Sequence, residues 1–225
     1  MPAMPAPEPP PMRERYRAHV RHEVKQAALR QLAESGPAAV SVSAIGKQLG
    51  VSGPALYRYF ASRDELLTEL MIDAYHDLAD ALAAASRAPT PGPRARLEGL
   101  ARAYRSWALA QPHRYRLLFG PPLPGYDAHA QRLVDAAQRA MNPLLDVLRE
   151  FGDGTIEPPA EPLASQLAAW AQPQDPGIDP ATALRAVLIW SYLHGIVSLE
   201  IAGNFASMGI DPGQLFEVQL ATLTG

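Results

Sequence analysis

The segment from residue 41 to residue 67, SVSAIGKQLGVSGPALYRYFASRDELL, limits the possible folds more than any other part of the chain. Its first half reads as a helix that Ser41 can cap, with apolar positions at Ile45 and Leu49. Gly50 can end that helix, because glycine readily takes the left-handed conformation found at helix C-termini. These residues therefore predict a short helix followed by a tight turn.

The second half of the segment predicts another short helix. Pro54 has no amide hydrogen and belongs in the first turn of a helix, so this helix begins at Ser52, as its N-cap, or at Gly53. It is expected to end near Phe60, and Ser62 can cap a third helix directly behind it. This order of elements is either a plain helical hairpin in an all-α core or a helix-turn-helix that reads the major groove of DNA.

The periodicity of the whole sequence predicts an all-α fold, because no segment gives a serious strand pattern. The helix over 181–208 is apolar nearly all round and should be buried. Pro143 should kink the helix that contains it. Besides the two short helices, we expect helices over residues 13–35, 63–85, 94–110, 112–119, 127–151, 163–170, 181–208 and 211–223.

Three regions are expected along the chain, and charge is divided unevenly between them. Residues 1–12 are rich in proline and should form a disordered tail, followed by a small helical domain over 13–63 and a larger one over 64–225. Through Arg63 there are nine Lys and Arg against four acidic residues, whereas the remainder has eleven against nineteen. A basic first domain is typical of phosphate binding.

The composition also bears on the compartment. The sequence contains no cysteine, which excludes disulfides and cysteine-ligated metals and fits a cytoplasmic protein. The proline-rich start lacks the basic and apolar regions of a signal peptide. We expect no membrane span, because the most apolar stretch, 183–201, is interrupted by Arg185, His194 and Glu200.

One composite pattern extends over residues 20–70. It consists of Gly36, Ser41, Ile45–Gly46, Gly50–Val51–Ser52, Leu56–Tyr57–Arg58–Tyr59–Phe60 and Ser62–Arg63–Asp64–Glu65–Leu66. Together these residues resemble the DNA-binding domain of TetR-family transcriptional regulators. Gly46 and Arg63 depart from the family pattern, which usually has alanine and lysine there, and Arg63 keeps the positive charge.

The resemblance implies which residues contact double-stranded DNA. Ser43, Gly53 and Ala55 correspond to positions that touch base edges in the family, and all three are small. Direct readout is therefore limited, and we expect specificity to depend partly on DNA shape. The expected DNA-binding residues are Ser41, Ser43, Lys47, Ser52, Gly53, Pro54, Ala55, Tyr57, Tyr59 and Arg63.

The second half resembles one group of TetR-family C-terminal domains, through Trp190–Gly195 with Glu200 behind it and through Ala103–Trp107 followed by Pro112–Phe119. This resemblance implies a homodimer, formed by the last two helices of each subunit, and an internal pocket for a small apolar or amphipathic effector. The expected pocket residues are Tyr104, Trp107, Phe119, Met141, Trp190 and His194.

Two other classes of function stay open. Asp73 and His76 have the spacing of a metal-ligating pair on a helix, but no matching Glu-x-x-His motif exists, so we expect no metal site and no cofactor. No phosphate loop, nucleophile elbow or dinucleotide fingerprint is present, so we expect no catalysis. Beside the expected ligand-released repressor on a palindromic operator, the alternatives are an all-α bundle enzyme or metal-binding protein and a regulator controlled by a protein partner.

Overall fold

A computed structural model describes residues 11–120, 126, 130–151, 157, 159–172 and 177–224. All regular structure in these residues is helical, which confirms the all-α prediction. The helices are α1 (Met12–Ser35), α2 (Val42–Leu49), α3 (Gly53–Leu56), α4 (Arg63–Ser86), α5 (Pro93–Ala110), α6 (Pro112–Phe119), α7 (Gln131–Arg149), α8 (Leu163–Ala171), α9 (Pro180–Ile201), α10 (Asn204–Ser207) and α11 (Pro212–Thr224), with a 3₁₀ turn at Pro37–Ala39.

The described residues form two compact units, here called the head and the body. The head contains the described residues up to Met71 together with Tyr126, and the body contains Ile72–Gly120 and the described residues from Ala130 onward. The division falls inside α4, whereas the sequence suggested a boundary at its first residue. The expected disordered tail lies outside the described residues except for its end, where Met12 already belongs to α1.

The core of the head is built from the apolar faces of its four helices. Because glycine has no side chain, the turn after α2 can approach Gly46 closely, where a Cβ atom would lie 2.9 Å from the carbonyl oxygen of Val51. The buried side chains include Val24, Ala28, Leu32, Ile45, Leu56, Phe60, Leu66 and Leu70.

One arginine of α1 joins three parts of the head. Arg21 donates a hydrogen bond to the carbonyl oxygen of Tyr59 at 2.6 Å and forms an ion pair with Glu69 at 3.1 Å. Its guanidinium also lies 4.5 Å from the centre of the Phe60 ring, within the range of a cation–π contact. Arg21 therefore fixes the chain between α3 and α4, and sequence spacing gave no indication of this role.

The turn between α2 and α3 has the predicted structure. The Ser41 hydroxyl accepts a hydrogen bond from the backbone N–H of Ala44 at 3.3 Å, and Gly50 is left-handed with φ of 66°. Ser52 occupies the N-cap position of α3, as predicted, and its side chain makes no capping hydrogen bond.

Helix α3 is shorter than predicted, because it ends at Leu56 and not near Phe60. The backbone N–H groups of Tyr59 and Phe60 both bond to the carbonyl of Leu56, at 2.9 and 3.1 Å. The residues after Leu56 therefore form a tighter hydrogen-bonded turn and do not continue the regular α-helix.

The body packs α5 against α7, α9 and α11, and α8 against α9. Helix α7 begins at Gln131 and contains Pro143, whereas its predicted start at residues 127–129 lies outside the described residues. Helix α9 was predicted to run from 181 to 208, but it ends at Ile201 and Gly203 then takes a left-handed φ of 79°. This glycine ends the helix because it accepts that conformation without strain.

Within a single chain, α9 is buried on part of its surface only. One of its faces lies in the body core, but Leu188, Tyr192 and Leu199 on another face are 51%, 45% and 44% exposed. By length and composition α9 could cross a membrane, and no other helix in the described ranges meets that test. Core helices meet it as well, and α9 contacts five other helices of the body.

Candidate functional site

Most of the predicted DNA-binding residues are accessible on the surface of the head. Gly53, Ala55 and Tyr59 are half-buried, because they lie partly against the rest of the head. Ser41 is also half-buried and caps α2, while its backbone N–H bonds to the Gln31 side chain at 3.0 Å. The exposed members of the set are Ser43, Lys47, Ser52, Pro54 and Tyr57.

Arg63 has partners inside the head. Its Nε donates to the carbonyl of Val40 at 3.0 Å, and a terminal nitrogen donates to the carbonyl of Pro37 at 2.8 Å. The other terminal nitrogen lies 3.6 Å from Asp64. These bonds hold the 3₁₀ turn in front of α2, so a phosphate contact would require this guanidinium to leave them. The two carbonyls are 26 and 23 residues earlier in the chain, which is why sequence spacing did not reveal them.

The body contains a cavity of about 350 Å³. Four of the predicted pocket residues line it: Tyr104, Phe119, Met141 and Trp190. The other residues of its wall were not predicted, because an apolar helix face that lines a cavity has the same periodicity as one that packs in a core. These are Tyr75, Leu78, Leu82, Leu97, Leu100, Ala101, Ala137, Ala140, Leu144, Trp170, Val187 and Leu193.

Trp107 is not among the described residues that line the cavity, although it was predicted there. Its indole nitrogen donates a hydrogen bond to Asp77 at 2.9 Å, and Asp77 also pairs with Arg114 at 2.9 Å. The side chain is buried and links α5 to α4. Trp107 therefore contributes to the structure of the body beside the cavity.

His194 lies behind the cavity wall and not on it. Its ring is stacked between Trp190 and Tyr115, with ring centres 5.4 and 5.6 Å away. Its Nδ1 atom is 3.0 Å from the Tyr115 hydroxyl and 3.4 Å from the Tyr104 hydroxyl. Burial lowers the pKa of His194 below its usual value, so the ring is neutral at pH 7.

The two tyrosines of this cluster are also neutral. Burial raises the pKa of Tyr115 to about 12. Burial, with a smaller contribution from Tyr115, raises the pKa of Tyr104 further. Both hydroxyl groups therefore keep their protons and can donate hydrogen bonds throughout the physiological pH range.

A half-buried ion pair joins two of the helices that carry this cluster. Two nitrogens of Arg105 donate to the two carboxylate oxygens of Glu200, at 2.8 and 2.6 Å. The same guanidinium lies 5.2 Å from the centre of the Phe216 ring. The bidentate pair therefore fixes α5 relative to α9, and the stacking contact adds α11 to the arrangement.

Among the described residues, no three His, Asp or Glu side chains are grouped as a metal site would require.

Two family models match the chain at the positions of the head and the body. Residues 26–70 match the model described as "Bacterial regulatory proteins, tetR family", and residues 97–223 match "Tetracyclin repressor-like, C-terminal domain". The chain belongs to the TetR family. TetR-family proteins are DNA-binding transcriptional regulators with a helix-turn-helix domain, and neither the family nor the fold suggests an enzyme.

A relative in Mycobacterium tuberculosis supports the same membership. The HTH-type transcriptional regulator Rv1816 is 34% identical over 214 residues, which are 92% of this chain and 92% of Rv1816. Among solved structures, SCO4313, described as a regulatory protein, has a TM-score of 0.78 and 43% identity, covering 95% of this chain and 98% of its own.

A less similar solved structure also shares the architecture. FadR from Bacillus subtilis, solved in complex with stearoyl-CoA, has a TM-score of 0.57 and 16% identity, covering 91% of this chain and 97% of its own. At this identity the likeness concerns the fold alone.

Proposed function

We propose that this TetR-family regulator is a cytoplasmic, homodimeric repressor, which binds a palindromic operator and is released from it by a small apolar effector. The observation that carries the proposal is the cavity of about 350 Å³ in the body of a chain whose head is a helix-turn-helix. A collapsed body interior would have favoured control by a protein partner. An apolar cavity of this size falls in the range of small-molecule sites, roughly 300–1,000 Å³.

The surface of the head supports contact with DNA phosphates. Three basic residues of the head, Arg21, Lys25 and Arg63, have partners within the head. We do not include these three residues among the proposed phosphate contacts. The basic residues that are exposed are Arg13, Arg15, Arg17, Arg30, Lys47 and Arg58. Together with the hydroxyl groups of Ser43 and Tyr57, they are the groups we assign to DNA binding.

The proposed dimer would use the exposed apolar face of α9 together with α11, on which Val218 is 66% exposed. Two copies related by a twofold axis would cover this face of each other. Such a dimer carries two heads, which must fit half-sites about 34–36 Å apart on the DNA.

The effector would act through α4. This helix supplies Tyr75, Leu78 and Leu82 to the cavity wall, and its first residues belong to the head. An effector releases the operator only if it binds the DNA-incompetent conformation more tightly than the DNA-bound one. The proposal therefore requires binding of effector and operator to oppose each other.

The test begins with the selection of duplexes from a random DNA pool by the full-length protein. Affinity for the selected duplex should fall steeply between low and moderate salt, because contacts of Lys and Arg with phosphates release counterions. A cavity ligand should then weaken operator binding in a titration at fixed salt. Failure to select any sequence would contradict the DNA part of the proposal, and operator affinity unaffected by a bound cavity ligand would contradict the effector part.

A further inference from the structure

The wall of the body cavity is uncharged at every described residue that lines it. Among the lining residues, Tyr75, Tyr104, Trp170 and Trp190 have a side-chain group that can form a hydrogen bond. The remaining wall consists of aliphatic and aromatic side chains and the thioether of Met141. A ligand inside would therefore meet hydrogen-bonding groups but no opposite charge.

Charged residues on the same helices have partners elsewhere. On α4, Asp77 accepts from Trp107 and pairs with Arg114, and on α5, Arg105 is held by both oxygens of Glu200. None of these groups can turn into the cavity without breaking its existing ion pair. Asp77, Arg114, Arg105 and Glu200 are therefore not ready to neutralise a charged ligand.

From this wall we infer that the cavity takes an uncharged, largely apolar molecule and selects against carboxylates and ammonium ions of the same size. Moving an unpaired ion out of water into such a site is unfavourable, whereas an uncharged molecule gains by burying its apolar surface. This inference deepens the effector part of the proposed function and rests on it for any role in regulation.

We assign the polar contact with that molecule to the Tyr104 hydroxyl. The Tyr115 hydroxyl donates to the carbonyl oxygen of His194 at 3.2 Å, and it lies 3.0 Å from His194 Nδ1, from which it can accept a hydrogen bond. The Tyr104 hydroxyl is farther from Nδ1, at 3.4 Å, and His194 does not need it as a partner. Tyr104 can therefore turn its hydroxyl to a ligand while His194 keeps Tyr115. A carbonyl or hydroxyl oxygen on the ligand would accept this bond.

The first experiment compares five ligands that share one phenylbutyl skeleton and bind in the absence of DNA. Butylbenzene, phenylbutanol, phenylbutanone, phenylbutanoate and phenylbutylamine are titrated into the wild-type protein by calorimetry at pH 7. The three uncharged members should bind at least about tenfold more tightly than both ions. Binding of either ion as tightly as the alcohol, or no binding by any member, would overturn the inference.

The second experiment tests the Tyr104 contact with a matched control. Tyr104→Phe should weaken binding of phenylbutanol and phenylbutanone by about three- to tenfold, which corresponds to one hydrogen bond, and leave butylbenzene unchanged. Tyr192→Phe is the control, because it removes a hydroxyl from the exposed face of α9 and not from the cavity wall, so it should not change the ratio of alcohol to hydrocarbon affinity. Equal weakening of all ligands by Tyr104→Phe, or the same behaviour in both variants, would contradict the assignment.

These outcomes are separable from failure of the proposed function. If uncharged ligands bind as expected but leave operator affinity unchanged, the cavity selects neutral molecules and the regulatory proposal fails. If an ion proves to be the tight ligand and releases the operator, the regulatory proposal stands and the inference about ligand class is wrong. Circular dichroism and thermal melting of both tyrosine variants check that they fold.

Discussion

Arg63 and Lys47 are basic residues of one DNA-binding motif, but their side chains have different surroundings. Arg63 donates to the carbonyls of Val40 and Pro37, whereas Lys47 is exposed on α2. Loss of both bonds in Arg63→Ala should lower the free energy of unfolding by about 1–3 kcal/mol. Denaturant unfolding of the full-length protein measures this change.

The matched variant is Lys47→Ala, which should leave stability within about 0.5 kcal/mol of wild type. It should instead reduce the slope of log affinity against log salt by about one, as expected for one lost phosphate contact. If Arg63→Ala left stability unchanged and flattened the salt slope, the phosphate role implied by the family resemblance would be correct for Arg63 as well.

His194 gives the body a predictable dependence on pH. Because its pKa is lower in the folded protein than in the unfolded chain, its neutral ring contributes no penalty above the unfolded pKa of about 6.5. As the pH falls below that value, the unfolded state binds the proton more readily, and stability should decrease until the folded pKa is passed.

His194→Gln should remove this part of the pH dependence. The comparison is between the unfolding free energies of the variant and wild type from pH 7.5 to pH 5, which cancels the contributions of other groups. One of those is His113, whose pKa burial also lowers. A difference between the two proteins that did not change with pH would show that His194 titrates alike in the folded and unfolded states.

At the scale of the elements, the turn between α2 and α3 depends on the left-handed conformation of Gly50. Gly50→Ala should lower the free energy of unfolding by about 1–2 kcal/mol, because a side chain is disfavoured at φ of 66°. Gly53→Ala is the control, since Gly53 does not have a positive φ and a Cβ atom there meets no neighbour within 4 Å. Equal losses of stability in denaturant unfolding would exclude backbone strain as the cause.

Signals carried by a single residue predicted the elements well. The capping serine Ser41, the C-terminal Gly50 and the helix-starting Pro54 give α2 and α3 their observed order and beginnings. The prediction failed for the C-terminal ends of two helices, which depend on hydrogen bonds and packing that the sequence pattern does not show. Helix α3 ends early because Tyr59 and Phe60 share one carbonyl, and α9 ends at Ile201 although its apolar pattern continues beyond it.

The site residues were likewise predicted less well where their partners lie on other elements of the fold. Trp190 and Trp107 both lie on apolar helix faces, and the sequence assigned both to a pocket. Only the three-dimensional structure separates them, because the partner of Trp107 is Asp77 on another helix. Likewise, the structural bonds of Arg63 depend on which carbonyls the fold brings beside it, and spacing along the chain contains no information about them.

At the scale of the whole molecule, the exposed face of α9 provides the test of dimerisation. We expect wild type to sediment as a dimer at micromolar concentration, and Leu188→Glu with Leu199→Glu to sediment as a folded monomer. Both leucines are exposed in the single chain, so the charges would be buried only in a dimer.

Leu193→Glu is the contrasting variant. Leu193 is 8% exposed and lines the cavity, so a charge there should unfold the body and not merely dissociate it. Circular dichroism distinguishes loss of helix from dissociation. A wild-type monomer at micromolar concentration, or a double variant that remains dimeric, would contradict the proposed use of this face.

The tryptophans give the protein an optical reporter of its own. Of the three in the chain, Trp170 and Trp190 line the cavity, while the indole of Trp107 is hydrogen-bonded to Asp77 outside it. A molecule entering the cavity should therefore shift or quench the emission of the first two over a constant background from the third. Collections of unlabelled compounds can be screened by fluorescence with no dye attached, and a Trp170→Phe, Trp190→Phe protein should no longer respond.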